Sequence, residues 1–211
     1  MNRTELWSFQ LEPRIAKIFA KPKYPKHHPN TVVPLYSCAN HAKYDVVSLA
    51  IQSNYFNTKY FAWVDLGYWR DMGSELGAEY KFLLTLPPRF NHERVAFTEA
   101  FVFVPYASTT QIFLTSWLSM AGGFFIGHGD KMLLLTENYR YTTEKYMKRG
   151  LANSDQQVIY AMYAPLANSD TPKVQVQRYA WDKSSIPRWM YLGYYIRNQW
   201  YNRHNITFLY T

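Results

Sequence analysis

The stretch Lys59-Tyr60-Phe61-Ala62-Trp63-Val64-Asp65, KYFAWVD, sets the reading of the whole chain. Aromatic and β-branched residues run together and stop at an acidic residue and the turn Asp65-Leu66-Gly67, the pattern of a short buried strand. Just upstream, NHAKYDVVSLAIQSN (40–54) places apolar residues at Ala42, Val46, Val47, Leu49, Ala50 and Ile51, with Asn40 as N-cap. This predicts a half-buried helix. A helix that leads into a buried strand is one step of an α/β alternation.

Working outward, KPKYPKHHPNTVVP (21–34) holds four prolines and reads as an extended connector. Downstream, KFLLTLP (81–87), RVAFTE (94–99) and AFVFVP (100–105) read as strands separated by proline or polar breaks, and WLSMAGGFFIGH (117–128) as a strand entering a glycine-rich turn. A helix is predicted from Lys131 to Arg149, and a second from Gln156 to Ala164 capped by Asn153 or Ser154. KVQVQRYAW (173–181) alternates as a strand. The sum is a single α/β domain over residues 1–211: a mixed sheet flanked by helices.

Composition bounds the function classes. In 211 residues, 48% hydrophobic and 18% aromatic content against 18% charged residues excludes a disordered chain and predicts a core rich in rings. The 23 Lys+Arg against 15 Asp+Glu give a net charge of +8. Such a charge attracts phosphates, nucleic acid or anionic lipid without selecting among them. It clusters at Lys17, Lys21, Lys23, Lys26, His27 and His28 and again at Arg178, Lys183, Arg188, Arg197 and Arg203. No nucleic-acid reading module accompanies either cluster, so no specific nucleic-acid binding is expected. The single cysteine, Cys38, excludes an intramolecular disulfide and a cysteine-based zinc cluster. No run of eighteen apolar residues predicts a transmembrane helix, and the compartment stays open.

Several side chains stand where chemistry is done. Asp65 closes a strand at the end where open α/β sheets bind ligands, although a carboxylate there also caps its own turn. Gly122 and Gly123, in a chain of only nine glycines, either leave bare main chain for a ligand or mark a β-bulge. Asp155 and Gln156 open a helix, where an acidic residue suits the dipole and also stands ready to bind an acceptor hydroxyl or take its proton. His41 and Lys43 begin the helix before the Asp65 strand, and a lysine there reaches a diphosphate or simply faces solvent. No hydrolase elbow, Walker loop or dinucleotide fingerprint is present.

The order of these pieces is stronger than any one of them. FAWVDLGYWRD (61–71), AGGFFIG (121–127) and DQQVIYAMY (155–163) together resemble the GT-A-type glycosyltransferases, and most closely the HtrL/YibB-like family. The layout is also similar to the glycosyltransferase domain of collagen lysyl hydroxylases. The resemblance runs from Tyr36 to Pro165. It implies a sugar-nucleotide donor lying across the strand ends, an acceptor hydroxyl, and a divalent metal (Mn or Mg) at Asp65. It also implies Gly122 and Gly123 beneath a sugar, Asp155 and Gln156 as the catalytic pair on the acceptor side, and Lys43 with His41 near the diphosphate. Two departures stand out. Gly67 occupies the position where many relatives carry a second carboxylate, and the segment from Met1 to Pro25 resembles chain already past the first strand of that fold. Both favour the alternative expectation, a catalytically inactive or fragmentary binding domain of the same fold.

Overall fold

A computed structural model describes residues 2–69, 82–184 and 186–203, for 198–203 the backbone alone. Its sheet is organised around β3 (Met120–His128), whose nine residues alternate Phe125 to one face with Phe124 and Ile126 to the other. β1 (Tyr60–Val64) pairs antiparallel with β3, from Tyr60 opposite His128 to Val64 opposite Phe124. On the other side β2 (Arg94–Glu99) is antiparallel to β3, and β4 (Gln175–Ala180) lies parallel to β2. The order is β1-β3-β2-β4, a mixed four-stranded sheet.

The glycine pair is inside β3 and not in a turn, which corrects the expectation from the sequence. The apolar run that follows it, Phe124 to Ile126, is paired in register with β1. Against β2 the register breaks between Phe97 and Glu99, so β3 leaves that neighbour at the glycines.

Short helices α1 (Trp7–Gln10) and α2 (Glu12–Phe19) precede the long α3 (Pro34–Ser53). After β2 come α4 (Thr109–Leu114), α5 (Gly129–Lys148), α6 (Asp155–Tyr163) and, following β4, α7 (Tyr191–Arg203). α3 starts at Pro34 and not near Asn40, because proline at the first turn lacks only an N–H that would be orphaned anyway. Asn40 is therefore mid-helix, its side-chain amide donating to Tyr36 O at 2.9 Å.

Two predicted strands are absent. In 81–87, Lys81 lies outside the described residues, and the rest is irregular. In 100–105 the chain turns off β2: Ala100 N and Phe101 N both donate to Ser119 O, and Val104 pairs through its N and O with the Tyr160 hydroxyl. α7 was not foreseen, since aromatic residues surround it without the one-sided stripe that marks a surface helix.

α3, α5 and α6 cover one face of the sheet and α7 the other. On the first face four rings form a column: Tyr139 on Tyr44, Tyr44 on Phe125, Phe125 on Phe97, with adjacent planes 11–16° apart. All four are fully buried, as the aromatic composition led one to expect. Cys38 is buried beside α2, and burial, with Glu12 nearby, pushes its thiol up to about 11. Among the described residues no helix is long and apolar enough to cross a membrane.

Candidate functional site

At the end of β1 the backbone closes a turn, Tyr68 N donating to Asp65 O at 3.0 Å. Gly67 holds φ at +78° there, a conformation that side chains resist. The turn is thus closed by main chain, and the Asp65 carboxylate is released from capping. Its Oδ1 accepts a hydrogen bond from Trp63 Nε1 at 2.7 Å and lies 3.1 Å from Lys43 Nζ. Asp65 N donates to Gly123 O at 2.8 Å, which ties the carboxylate's backbone to the glycine pair.

Successive residues of a strand face opposite ways, and the two glycines make room for two different acids. A Cβ built on Gly123 would lie 3.3 Å from Asp65 Oδ2 and from the Tyr68 ring. One built on Gly122 would overlap Asp155 Oδ2 and lie 3.1 Å from Asp155 Cγ. Between the two acids sits the Lys43 ammonium, 3.0 Å from Gly122 O, 3.1 Å from Asp65 Oδ1 and 3.2 Å from Asp155 Oδ2.

The electrostatics follow from burial. The Asp155 side chain is 2% exposed and that of Lys43 8%, whereas Asp65 is 41% exposed. Burial pulls the lysine's pKa down, but the attraction of Asp155 and Asp65 outweighs it and the ammonium ends above its ordinary value. Burial is also the largest influence on Asp155 and raises its carboxyl, with Lys43 pulling the other way and Asp65 adding to the rise. Apart from the Lys43 ammonium 3.2 Å away, Asp155 Oδ2 meets no hydrogen-bond donor among the described residues.

Asp65 opens into a cleft of about 260 Å³. The β1 turn supplies Asp65 to Tyr68, β3 supplies Ala121 and Gly123, and α6 supplies Gln156. Trp189 and Met190 close it from a 3-10 turn (Arg188–Met190) that follows β4. Of the residues singled out in the sequence, Asp65, Gly123 and Gln156 therefore line the cleft, and Gly122, Asp155 and Lys43 are buried behind them.

Two expectations need correction. Lys43 has three acceptors within 3.2 Å and is nearly inaccessible, so no ammonium proton is left for a diphosphate. His41 is not at the cleft at all. Two residues from Lys43 on a helix means about 200° around the axis. His41 packs at 1% exposure against Trp7 and Tyr139, with Nδ1 2.5 Å from the Tyr139 hydroxyl. Burial, then the Lys43 charge, lowers its pKa to about 3, so the ring is neutral.

Sequence reasoning missed Trp63, Tyr68, Trp189 and Met190. The Trp63–Asp65 bond was detectable, because residues two apart on a strand share a face. The cleft wall from 189–190 had no such signal, since it is brought in by the chain beyond β4.

Among the described residues no group of three or more His, Cys, Asp or Glu side chains is placed to hold a metal ion. Asp65 offers one half-exposed carboxylate, enough for a magnesium- or manganese-like cation only where ligand phosphates and water complete its shell.

These features define an α/β protein with an acidic cleft at the carboxyl end of a strand, in a mixed sheet. Compared with family models, curated proteins and solved structures, the chain matches none.

Proposed function

We propose that the chain is a glycosyltransferase-like domain of GT-A type that takes a nucleotide-sugar donor and an acceptor hydroxyl in the Asp65 cleft. The observation that supports this reading is the convergence of three distant stretches, the end of β1, the Gly122-Gly123 pair and the start of α6, around one buried lysine. In this reading the ligand meets Asp65, Gln156, Trp189 and the bare backbone at Gly123. Asp65 and Gln156 orient hydroxyls, and Gly123, by lacking a side chain, lets Asp65 and Tyr68 pack against β3 at the edge of the cleft. Asp155 and Lys43 are positioning residues: they lie behind the floor and fix the Asp65 carboxylate and the β3 backbone. A divalent cation belongs to this reading as a companion of the diphosphate, held at Asp65, where it would neutralise charge on the departing group.

A second reading, a binding domain without catalysis, is favoured by the internal pairing of Lys43 with both carboxylates and by Gly67 in place of a second acid. Calorimetric titration with UDP-hexoses, with and without Mn²⁺, tests the proposal. Saturable binding that Asp65→Asn abolishes is the expected result, and turnover to free UDP then separates an enzyme from a silent binder. Absence of saturable heat under both conditions refutes the transferase reading.

A further inference from the structure

With Lys43 fully occupied by its own protein, the cleft needs another cation to receive an anionic ligand, and Arg188 opens the turn that supplies part of its wall. Its guanidinium carbon sits 4.7 Å from the Phe101 ring centroid and 4.6 Å from that of Trp181. The Phe101 backbone and the Trp181 ring are anchored. Phe101 N donates to Ser119 O, Ser119 Oγ donates to Phe101 O at 3.0 Å, and Trp181 Nε1 donates to Ile186 O at 2.9 Å. Phe101 also meets Trp189 edge-on, with centroids 5.3 Å apart, and Trp189 and Met190, the next two residues, are in the cleft wall.

Arg188 is half-buried, yet among the described residues it pairs with no carboxylate and has these two rings as its partners. Arg178 provides the contrast: it lies over Phe103 at 4.6 Å and also pairs through Nε with Glu99 at 3.4 Å. Stacking occupies the faces of a guanidinium and leaves its in-plane N–H fork, which matches the oxygens of a phosphate. A partly desolvated cation held over two rings, with no counter-ion among the described residues, is preorganised for an anion.

We infer that Arg188 is the anion receptor of the cleft and grips a phosphate of the ligand through that fork. The ligand chemistry is a phosphoanhydride, and its assignment to a nucleotide-sugar rests on the function proposed above. The test uses inorganic pyrophosphate, UDP and a UDP-hexose as separate probes on the full chain, by calorimetry at two salt concentrations. Arg188→Gln is expected to weaken pyrophosphate at least tenfold, Arg188→Lys to weaken it less, and Arg178→Gln to leave it unchanged. Thermal unfolding with and without pyrophosphate is run on every variant, so that a less stable Arg188→Gln still reports whether the ligand protects it.

If pyrophosphate binds and Arg188→Gln loses it while no UDP-hexose binds, the receptor stands and the transferase reading falls. If a UDP-hexose binds equally to wild type and Arg188→Gln, the transferase reading stands and Arg188 is only a strut between two loops. Failure of wild type to bind pyrophosphate at low salt overturns the inference.

Discussion

Gly122→Ala isolates the arrangement on which the site depends. Gly122 does not occupy the left-handed region, so an alanine fits its backbone, and the obstacle is the Asp155 carboxylate alone. The new methyl would overlap Oδ2 and stand 3.1 Å from Cγ and 3.4 Å from Oδ1. Ordinary contact requires the acid to withdraw by roughly 1 Å. It has no exit to solvent at 2% exposure, and withdrawal takes it from the ammonium now 3.2 Å away. Overpacking of this kind costs about 1–3 kcal/mol. Weakening a buried ion pair, whose complete loss costs about 3–5 kcal/mol, brings the expected total to about 2–4 kcal/mol. For a chain of this size that is a fall in melting temperature of roughly 5–15 °C. The assay is a double-mutant cycle: wild type, Gly122→Ala, Asp155→Ala and the pair, unfolded in urea and followed by tryptophan fluorescence. The methyl should be tolerated once the carboxylate is gone, giving a coupling of about 1–3 kcal/mol. Effects that add to within about 0.5 kcal/mol would show that Gly122 and Asp155 do not meet, and the site as described would be wrong.

Lys43→Met leaves two carboxylates facing each other with no cation between them and should cost about 3–5 kcal/mol by chemical denaturation. Adding Asp155→Asn should recover part of that loss, because burial already disfavours the Asp155 anion, and no recovery would mean that the lysine acts through packing alone. His41 gives a pH signature. Its folded pKa, about 3, lies below the unfolded value of 6.5, so its contribution is present above pH 6.5 and is lost as pH falls toward 3. The loss is on the order of 5 kcal/mol at the acid end. It should be missing from the stability–pH curve of His41→Gln, and superimposable curves for the two proteins would refute a neutral buried imidazole.

What could be read in the sequence was whatever depends on local pattern. RVAFTE became β2 residue for residue, and KYFAWVD became β1, because β-branched and aromatic runs bounded by turn residues carry their own signal. AFVFVP carries the same signal and is not a strand. Its hydrogen bonds go to Ser119 and Tyr160, partners fixed by the fold and invisible to a window of six residues. The glycine pair was legible as a place of close approach but was misplaced in a turn, since the register break that requires it belongs to the pairing of β3 with β2. The structure brings Asp65, Gly122, Gly123, Asp155 and Lys43 together, and each lies in a short stretch that the sequence singles out, although Lys43 meets the two acids and not a ligand. His41 was misassigned because it was read together with Lys43 as one pair, without regard to their positions on the helix. Beginning it at Pro34 places both residues mid-helix, where a two-residue spacing puts them on opposed faces.

The glycine pair also explains how one strand serves both layers of the molecule. Gly122 yields its side of the sheet to Asp155 at the start of α6, and Gly123 yields the other to Asp65 and Tyr68 beneath α7. Lys43 then bonds the main-chain oxygen of Gly122 and reaches both acids, so a single ammonium couples α3, β3, the β1 turn and α6. Two carboxylates sharing one cation leave the cleft with an acidic face, and that face is Asp65, the exposed member of the trio. An anionic ligand can settle there only with positive charge from elsewhere. Arg188, held by two rings in the turn whose Trp189 and Met190 line the same cleft, is the cation inferred above for that role.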